Sequence, residues 1–578
     1  MGICKFVEEF SKLRKSSRDS VDNSQTFDGF KEYMHITRQI EYDLKKILRY
    51  VNNRDNNSLV LLCGSAGDGK SHLLSYLKNT DEENLLNNYF IYNDGTESYA
   101  PNKTAIDTLN ELLDDYSDEN LLNHGNPSKN IILAINLGVL NNFIESEYGD
   151  RYGMLKQYVE DREILTSSIN NQVISENLYF QSINFSDYHM FELNEDGINA
   201  TFIESVLDKV FGNSEESPFL RSYKSSCCGS CIKSGWCPVK HNYEFLRAKN
   251  CQKYISQLLV ECIVKDKVIL TTRELQNFLY DIVVPLEFNP LVTMTSRNIK
   301  ERINTYFNSL TPSLMFEQKD TSLLGDNIKK YDPINIRSEK IDEEITDFYV
   351  ASNVKSSIEN MLEDVSYKSF ILDQQVIEKI STDKIYRSRL FVTIKRCQSI
   401  LLGDLTDGLY KSFLRDLYLF NSKRISKMSG IYESVENAVR QWCGTDSDEQ
   451  LCVESNELGF EIYEELEFNP YVSGSEKECI DGKLSKFVNY IVIEFNSEKD
   501  GDEPIPLVVD YSLYKLIKKL EMGYIQTSED RNNHADFLTF IKRMKNSGSA
   551  AKKVTIKGPN GTKIVFQKKK LGCTYKIK

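Results

Sequence analysis

Residues 59–74 read LVLLCGSAGDGKSHLL. The apolar run 59–63 has the length and continuity of a strand buried on both faces. Behind it, Gly64-Ser65-Ala66-Gly67-Asp68-Gly69-Lys70-Ser71 spells G-x-x-x-x-G-K-S, and residues 71–77 read as helix. Strand, glycine-rich turn and helix in that order are the setting in which this octapeptide binds phosphate. Its glycines let backbone N–H groups turn inward around the anion, and the helix N-terminus adds partial positive charge. Lys70 then neutralises the β- and γ-phosphates, and the Ser71 hydroxyl is a ligand for Mg²⁺. The predicted nucleotide-binding residues are Gly64, Ser65, Ala66, Gly67, Asp68, Gly69, Lys70, Ser71 and His72, with ATP and Mg²⁺ as cofactors. Asp68 is the odd member, because a carboxylate beside phosphate is unfavourable unless it points outward.

An α/β rhythm spreads from this stretch. Residues 89–92 read as a second strand, 104–113 as a helix, 131–135 as a third buried strand and 190–193 as a fourth. Strands alternating with helices at this spacing predict a mostly parallel sheet covered on both faces. The expected fold is an α/β P-loop NTPase core with a Cys-rich insertion, a helical lid and middle region, and a small α+β C-terminal domain. The expected boundaries are a helical lead-in over 1–55, the core over 56–215 and the insertion over 216–250. The lid and helical region follow over 251–440, and the C-terminal domain with a basic tail covers 441–578.

A carboxylate that binds Mg²⁺ and activates water belongs after a later strand of the same sheet. The best strand, 131–135, ends instead in Asn136, which cannot act as a base and suits a polar sensor of the γ-phosphate or attacking water. Asp94 and Glu97 after the second strand, and Asp187 before the fourth, are the carboxylate candidates, with turn formation or capping as the rival role for each. Arg273, in Thr272-Arg273-Glu274 at a helix start, resembles the second sensor of ring-forming ATPases, which reaches from a helical lid to the nucleotide. An ordinary surface arginine is the rival reading. The catalytic candidates are therefore Lys70, Asn136, Asp94 and Arg273.

Cys228-x2-Cys231-x5-Cys237-x3-His241 supplies four ligands at a spacing suited to structural tetrahedral Zn²⁺, with an iron–sulfur cluster as the alternative. Asp481-Gly482-Lys483 and Glu317-Gln318-Lys319 have the D/E-x-K shape of nucleases but lack an upstream partner.

The 578 residues carry a net charge of −14, yet residues 541–578 hold eleven Lys, one Arg and no acid. That segment is +12, leaving −14 − 12 = −26 for the first 540 residues. A polyanion contact confined to one end, or a solvated lysine face, fits this division. The chain has no run of 18 apolar residues and its 13 cysteines are an odd count, mostly scattered, which points to a reducing cytoplasmic setting without a membrane span. Residues 176–182, ENLYFQS, match a heptapeptide engineered as a viral protease site. No native function is assigned to it.

Several stretches together resemble one family: FSKLRKSSRDSV (10–21), GSAGDGKSHLL (64–74), YNDGTES (92–98), ILAINLGVL (132–140), NFSDYHMFELN (184–194), TTRELQNFLYDIVVP (271–285) and VVDYSLYKLIKKLEMGY (508–524). They are similar to DptF, the ATPase-like component of bacterial DNA phosphorothioation-dependent restriction systems. Cys228, Cys231 and Cys237-Pro238 fit that family's cysteine pattern. The resemblance implies a cytoplasmic protein working with DptG and DptH against DNA that lacks the sulfur modification. It carries over Gly64 to Ser71 and Asn136. The expected function is an ATP-binding and ATP-hydrolysing subunit of this antiviral defence complex. The alternative is a nucleotide-gated scaffold with little or no hydrolysis.

Overall fold

The computed structural model describes residues 4–577 apart from 19–28, 82, 94, 96–102, 167–168, 170, 228–230, 232–233, 287–298, 318–322, 336–338, 352–355, 357–373, 404–406, 447–449, 466–467, 474–481, 497–502, 548–552 and 569–574. The chain divides into two compact units. The first comprises Met1–Phe191 and Ala200–Leu405, the second Glu192–Asn199 and Thr406–Lys578. The helices Gly408–Asn421 and Ser429–Cys443 thus belong with the second unit rather than with the helical middle region.

At the centre of the first unit lies a four-stranded sheet of β1 (Leu59–Gly64), β2 (Tyr89–Tyr92), β3 (Asn130–Asn136) and β4 (Phe180–Asn184). Its order is β2-β3-β1-β4, and every pairing is parallel. All six residues of β1 are buried, as a strand covered on both faces requires. Alternation sends Leu59, Leu61 and Cys63 into a layer with Leu109, Leu140, Phe143, Leu155 and Phe180. Val60 and Leu62 enter the opposite layer with Leu44, Ile47 and Leu48 of helix Gln39–Asn52 and Leu73, Leu74 and Leu77 of helix Lys70–Thr80. Each fully buried aliphatic side chain contributes roughly 1.5–3 kcal/mol, so β1 and the equally buried β3 anchor the sheet.

One sequence expectation changes here. The fourth strand of the parallel sheet is Phe180–Asn184, not 190–193. Residues 190–193 fall within the strand Tyr188–Asn194, whose end pairs antiparallel with Gly197–Asn199. The reason is register: Phe180, Gln181 and Ser182 pair with Leu59, Val60 and Leu61, and Phe180 packs its ring near Tyr116 and Tyr158. The heptapeptide ENLYFQS therefore runs into the core, and the buried Gln181 amide closes onto the Ser175 backbone through both its oxygen and its nitrogen, at 2.9 Å each.

The N-terminal lead-in is not one continuous helix. Helices Lys5–Arg18, Gly29–Met34 and Gln39–Asn52 share it, and residues 35–38 between the last two are not helical, with Arg38 extended. The rest of the first unit is largely helical. One buried network there joins Arg396 to Asp332 at 3.0 and 2.5 Å and to Glu317. In the second unit a five-stranded antiparallel sheet includes Lys553–Lys557 and Lys563–Lys568, joined through the Gly558–Gly561 turn. Among the described residues no helix is long and apolar enough to cross a membrane.

Candidate functional site

Gly64 ends β1 directly beside Asn136, the last residue of β3. The glycine loop 64–69 and Asn136 thus share the carboxyl end of the parallel sheet, where α/β proteins hold ligands. Lys70, Ser71 and His72 form the first turn of the following helix, Lys70–Thr80. The Lys70 ammonium donates to the Gly64 and Ser65 carbonyls at 3.1 and 2.7 Å, which seats the charge inside the loop's curve. Gly64 has φ +153°, and a Cβ there would stand 2.8 Å from both Asp68 Oδ2 and Phe185 Cβ. The position requires glycine on both counts.

A distant helix closes against this loop. Thr271 caps Thr272–Asp281 in a capping box: its hydroxyl accepts from Glu274 N, and the Glu274 carboxylate accepts from Thr271 N. Arg273 N donates to the Gly67 carbonyl at 3.3 Å, and the Thr272 hydroxyl donates to the Asp68 carbonyl at 3.3 Å. Gly67 has φ +89°, and a Cβ on it would come within 3.0 Å of Arg273 Cβ. The structure therefore brings Arg273 against the loop across some two hundred residues of sequence.

Asp68 turns its carboxylate back across the loop, where Oδ2 accepts from Ser65 N at 2.5 Å. Burial raises its pKa above the ordinary carboxylate value, while the Ser65 amide, Lys70 and Arg38 oppose that rise. Arg38 was not foreseen from the sequence. Its guanidinium donates to the Tyr188 carbonyl at 3.0 Å and lies over the Phe202 ring at 5.0 Å. Burial lowers its pKa to about 10, against the pull of Asp68. Equally unforeseen is the chain behind His72. His72 Nε2 is 3.1 Å from His35 Nδ1, and His35 Nε2 is 3.0 Å from Glu41 Oε2. Glu41 accepts from Lys45 at 2.8 Å. Burial, then the neighbouring His35 and Lys31, push the His72 pKa down to about 4, so the ring is neutral at pH 7.

The acidic candidates are less informative. Asp94 and Glu97 lie outside the described residues. Asp187, just past β4, accepts from Asn184 Nδ2 at 3.1 Å, and Asn136 Oδ1 accepts from Gly138 N at 3.0 Å as the cap of helix Leu137–Ile144.

Of the four expected metal ligands, Cys228 lies outside the described residues. Cys231 and Cys237 are half-buried, and Cys237 precedes helix Pro238–Leu246. Burial pushes the Cys237 thiol up to about 12, and the nearby Cys4 and Cys231 add to the shift. Cys4 lies more than two hundred residues before the motif, and nothing in its local sequence marks it. His241 is buried with Nδ1 on the Tyr306 hydroxyl, and its burial pushes the imidazole pKa down to about 4. Among the described residues no group of three or more His, Cys, Asp or Glu side chains could hold a metal ion.

In the basic tail, Lys557 and Lys563 both pair with the buried Asp446, at 2.8 and 3.2 Å. Residues 569 and 570 lie outside the described part of the chain. Compared with known proteins, the chain matches no protein-family model and no curated protein.

Proposed function

We propose that this chain binds ATP with Mg²⁺ at residues 64–72 and hydrolyses it as a subunit of a DNA phosphorothioation-dependent restriction complex. The observation that carries nucleotide binding is the Lys70 ammonium seated inside a glycine loop at the carboxyl end of a parallel sheet. The backbone amides of 65–71 would take the phosphates, and Ser71 would hold Mg²⁺, whose charge offsets that of the phosphates when bound. Arg273, against Gly67, is the cation a lid would bring to the nucleotide. The restriction role, the DptG- and DptH-like partners, DNA as target and the cytoplasmic setting rest on the sequence resemblance.

One observation favours the scaffold alternative: the residue that ends β3 beside Gly64 is Asn136, an amide that cannot act as a base. Steady-state phosphate release, measured with and without DNA and partner subunits, separates the two. Turnover that Lys70→Ala abolishes supports the ATPase. Tight ATP binding without turnover under any condition supports the scaffold.

A zinc site remains a proposal, with Cys231 and Cys237 as its described thiols and Cys228 supplied by the spacing of the motif. His241 would ligate through Nε2, with Nδ1 oriented by the Tyr306 hydroxyl.

A further inference from the structure

We propose that Thr272 is a positioning residue of the nucleotide site: its hydroxyl fixes the Asp68–Gly69 peptide, and with it the direction of a loop amide, Gly69 N–H, that phosphate would use. This rests on the nucleotide reading above.

The Asp68–Gly69 peptide is one that its own residues leave free to turn over. A peptide plane rotates through opposite changes in ψ of the residue before it and φ of the residue after it. Here the residue after it is Gly69, at φ +102°. Glycine accepts φ of either sign, so Gly69 does not itself decide which way the plane faces. The described peptide bonds are all trans, and in a trans peptide the C=O and the N–H point in opposite directions. Whatever holds the Asp68 carbonyl therefore aims the Gly69 N–H.

That carbonyl is held from outside the loop. The Thr272 hydroxyl donates to it at 3.3 Å, and Thr272 Oγ1 would stand 3.8 Å from a Cβ on Gly69. The preceding peptide is held from the same side, with Arg273 N donating to the Gly67 carbonyl at 3.3 Å. Amides in the first turn of a helix have no partner within it, so giving one to Gly67 leaves the helix intact. The roles in this turn are divided: Thr271 caps the helix through Glu274 N, and the Thr272 hydroxyl is left to serve the loop. The helix Thr272–Asp281 is itself anchored. Leu275 and Leu279 are fully buried, and at its far end Asp281 pairs with Arg14, whose guanidinium lies 4.5 Å from the centre of the Tyr280 ring. A donor carried on an anchored helix keeps its place when a ligand enters, whereas a side chain of the loop moves with the loop. A residue some two hundred positions away thus sets the direction of a phosphate-binding amide.

The test compares Thr272→Val, which keeps the shape of the side chain and loses the hydroxyl, with Thr272→Ser, which keeps the hydroxyl and loses the methyl group. Both are made in the full chain. The Kd of a fluorescent ATP analogue with Mg²⁺ is read alongside the thermal unfolding midpoint without ligand. Thr272→Val should weaken binding by about 3- to 10-fold, the scale of one hydrogen bond, with the midpoint nearly unchanged. Thr272→Ser should bind within about twofold of the parent, because it keeps the donor. Parent-like binding by Thr272→Val overturns the proposal. So does an equal loss in both variants, which would place the effect in the packing of the methyl group. Should Thr272→Val not fold, Thr272→Ala set against Thr272→Ser makes the same comparison, with the same overturning results. A parent chain that binds no ATP, or binds it equally well as Lys70→Ala, refutes the nucleotide reading itself. Lys70-dependent binding that is indifferent to the Thr272 hydroxyl refutes only the role of Thr272.

Discussion

The heptapeptide ENLYFQS offers a direct test of the sheet, because a protease that cuts within it must first pull the segment into an extended cleft. Phe180, Gln181 and Ser182 are paired with β1, and Phe180 and Gln181 are almost wholly buried. Detaching the strand exposes Phe180 and Ile183, which at roughly 1.5–3 kcal/mol each removes about 3–6 kcal/mol of burial. It also strips the Gln181 amide of its two Ser175 partners. At 1.4 kcal/mol per factor of ten, the segment is then open in about one molecule in a thousand or fewer. With opening and closing fast relative to cleavage, the native protein should be cut about a thousandfold more slowly than the same heptapeptide in a flexible linker. The assay is a gel time course against such a linker control, repeated in rising urea. Cleavage should accelerate as the chain unfolds, and Phe180→Ala, which removes a core ring at a cost of about 3–5 kcal/mol, should accelerate it in buffer alone. Cutting of the native chain at the linker rate would mean that residues 180–184 are not a strand of this sheet.

Other outcomes follow from the same geometry. Lys70→Ala should abolish ATP binding measured by calorimetry while leaving the thermal unfolding midpoint of the unliganded chain nearly unchanged, since Lys70 sits on the loop's Gly64 and Ser65 carbonyls and belongs to neither apolar layer of the sheet. The purified chain should contain about one zinc by elemental analysis, and Cys231→Ser should release it with a loss of stability; no metal, or iron with matching sulfide, refutes the zinc proposal. His241 should make folding acid-sensitive: its pKa lies near 4 in the folded chain, so between that value and the ordinary 6.5 the unfolded chain binds the extra proton. Stability should thus be lost as pH falls through this window, by up to about 3 kcal/mol, and His241→Phe should flatten that part of a denaturant-midpoint profile. Neutralising Lys557 and Lys563 should lower the stability of the second unit, because both hold the buried Asp446. Gel shifts should show little change in DNA affinity from that pair alone.

What could be read in advance, and what could not, follows from how far each feature reaches along the chain. β1, the glycine loop and its helix were legible because a local apolar run, a fixed glycine spacing and a helical period all fall within sixteen residues. β3 was legible for the same reason, and its end at Asn136 landed beside Gly64. β4 was not: FQSIN alternates apolar and polar residues weakly, its burial depends on pairing with β1 some 120 residues earlier, and the more apolar stretch 190–193 competed for the role. Arg273 was legible as a helix start and a candidate second sensor, with a surface arginine as the rival, because the capping box is local while its contact with Gly67 is tertiary. Arg38 carried no local signal at all. The lead-in over 1–55 was expected to be helical, and nothing in it singled out Arg38. In the fold, the helix is interrupted between Met34 and Gln39, and Arg38 there reaches the Tyr188 carbonyl. A charged residue becomes part of a site when the backbone around it departs from its local periodicity, and such departures are set by the partner surface. Here that surface is the loop helix, with His72 and Tyr76 gripping His35.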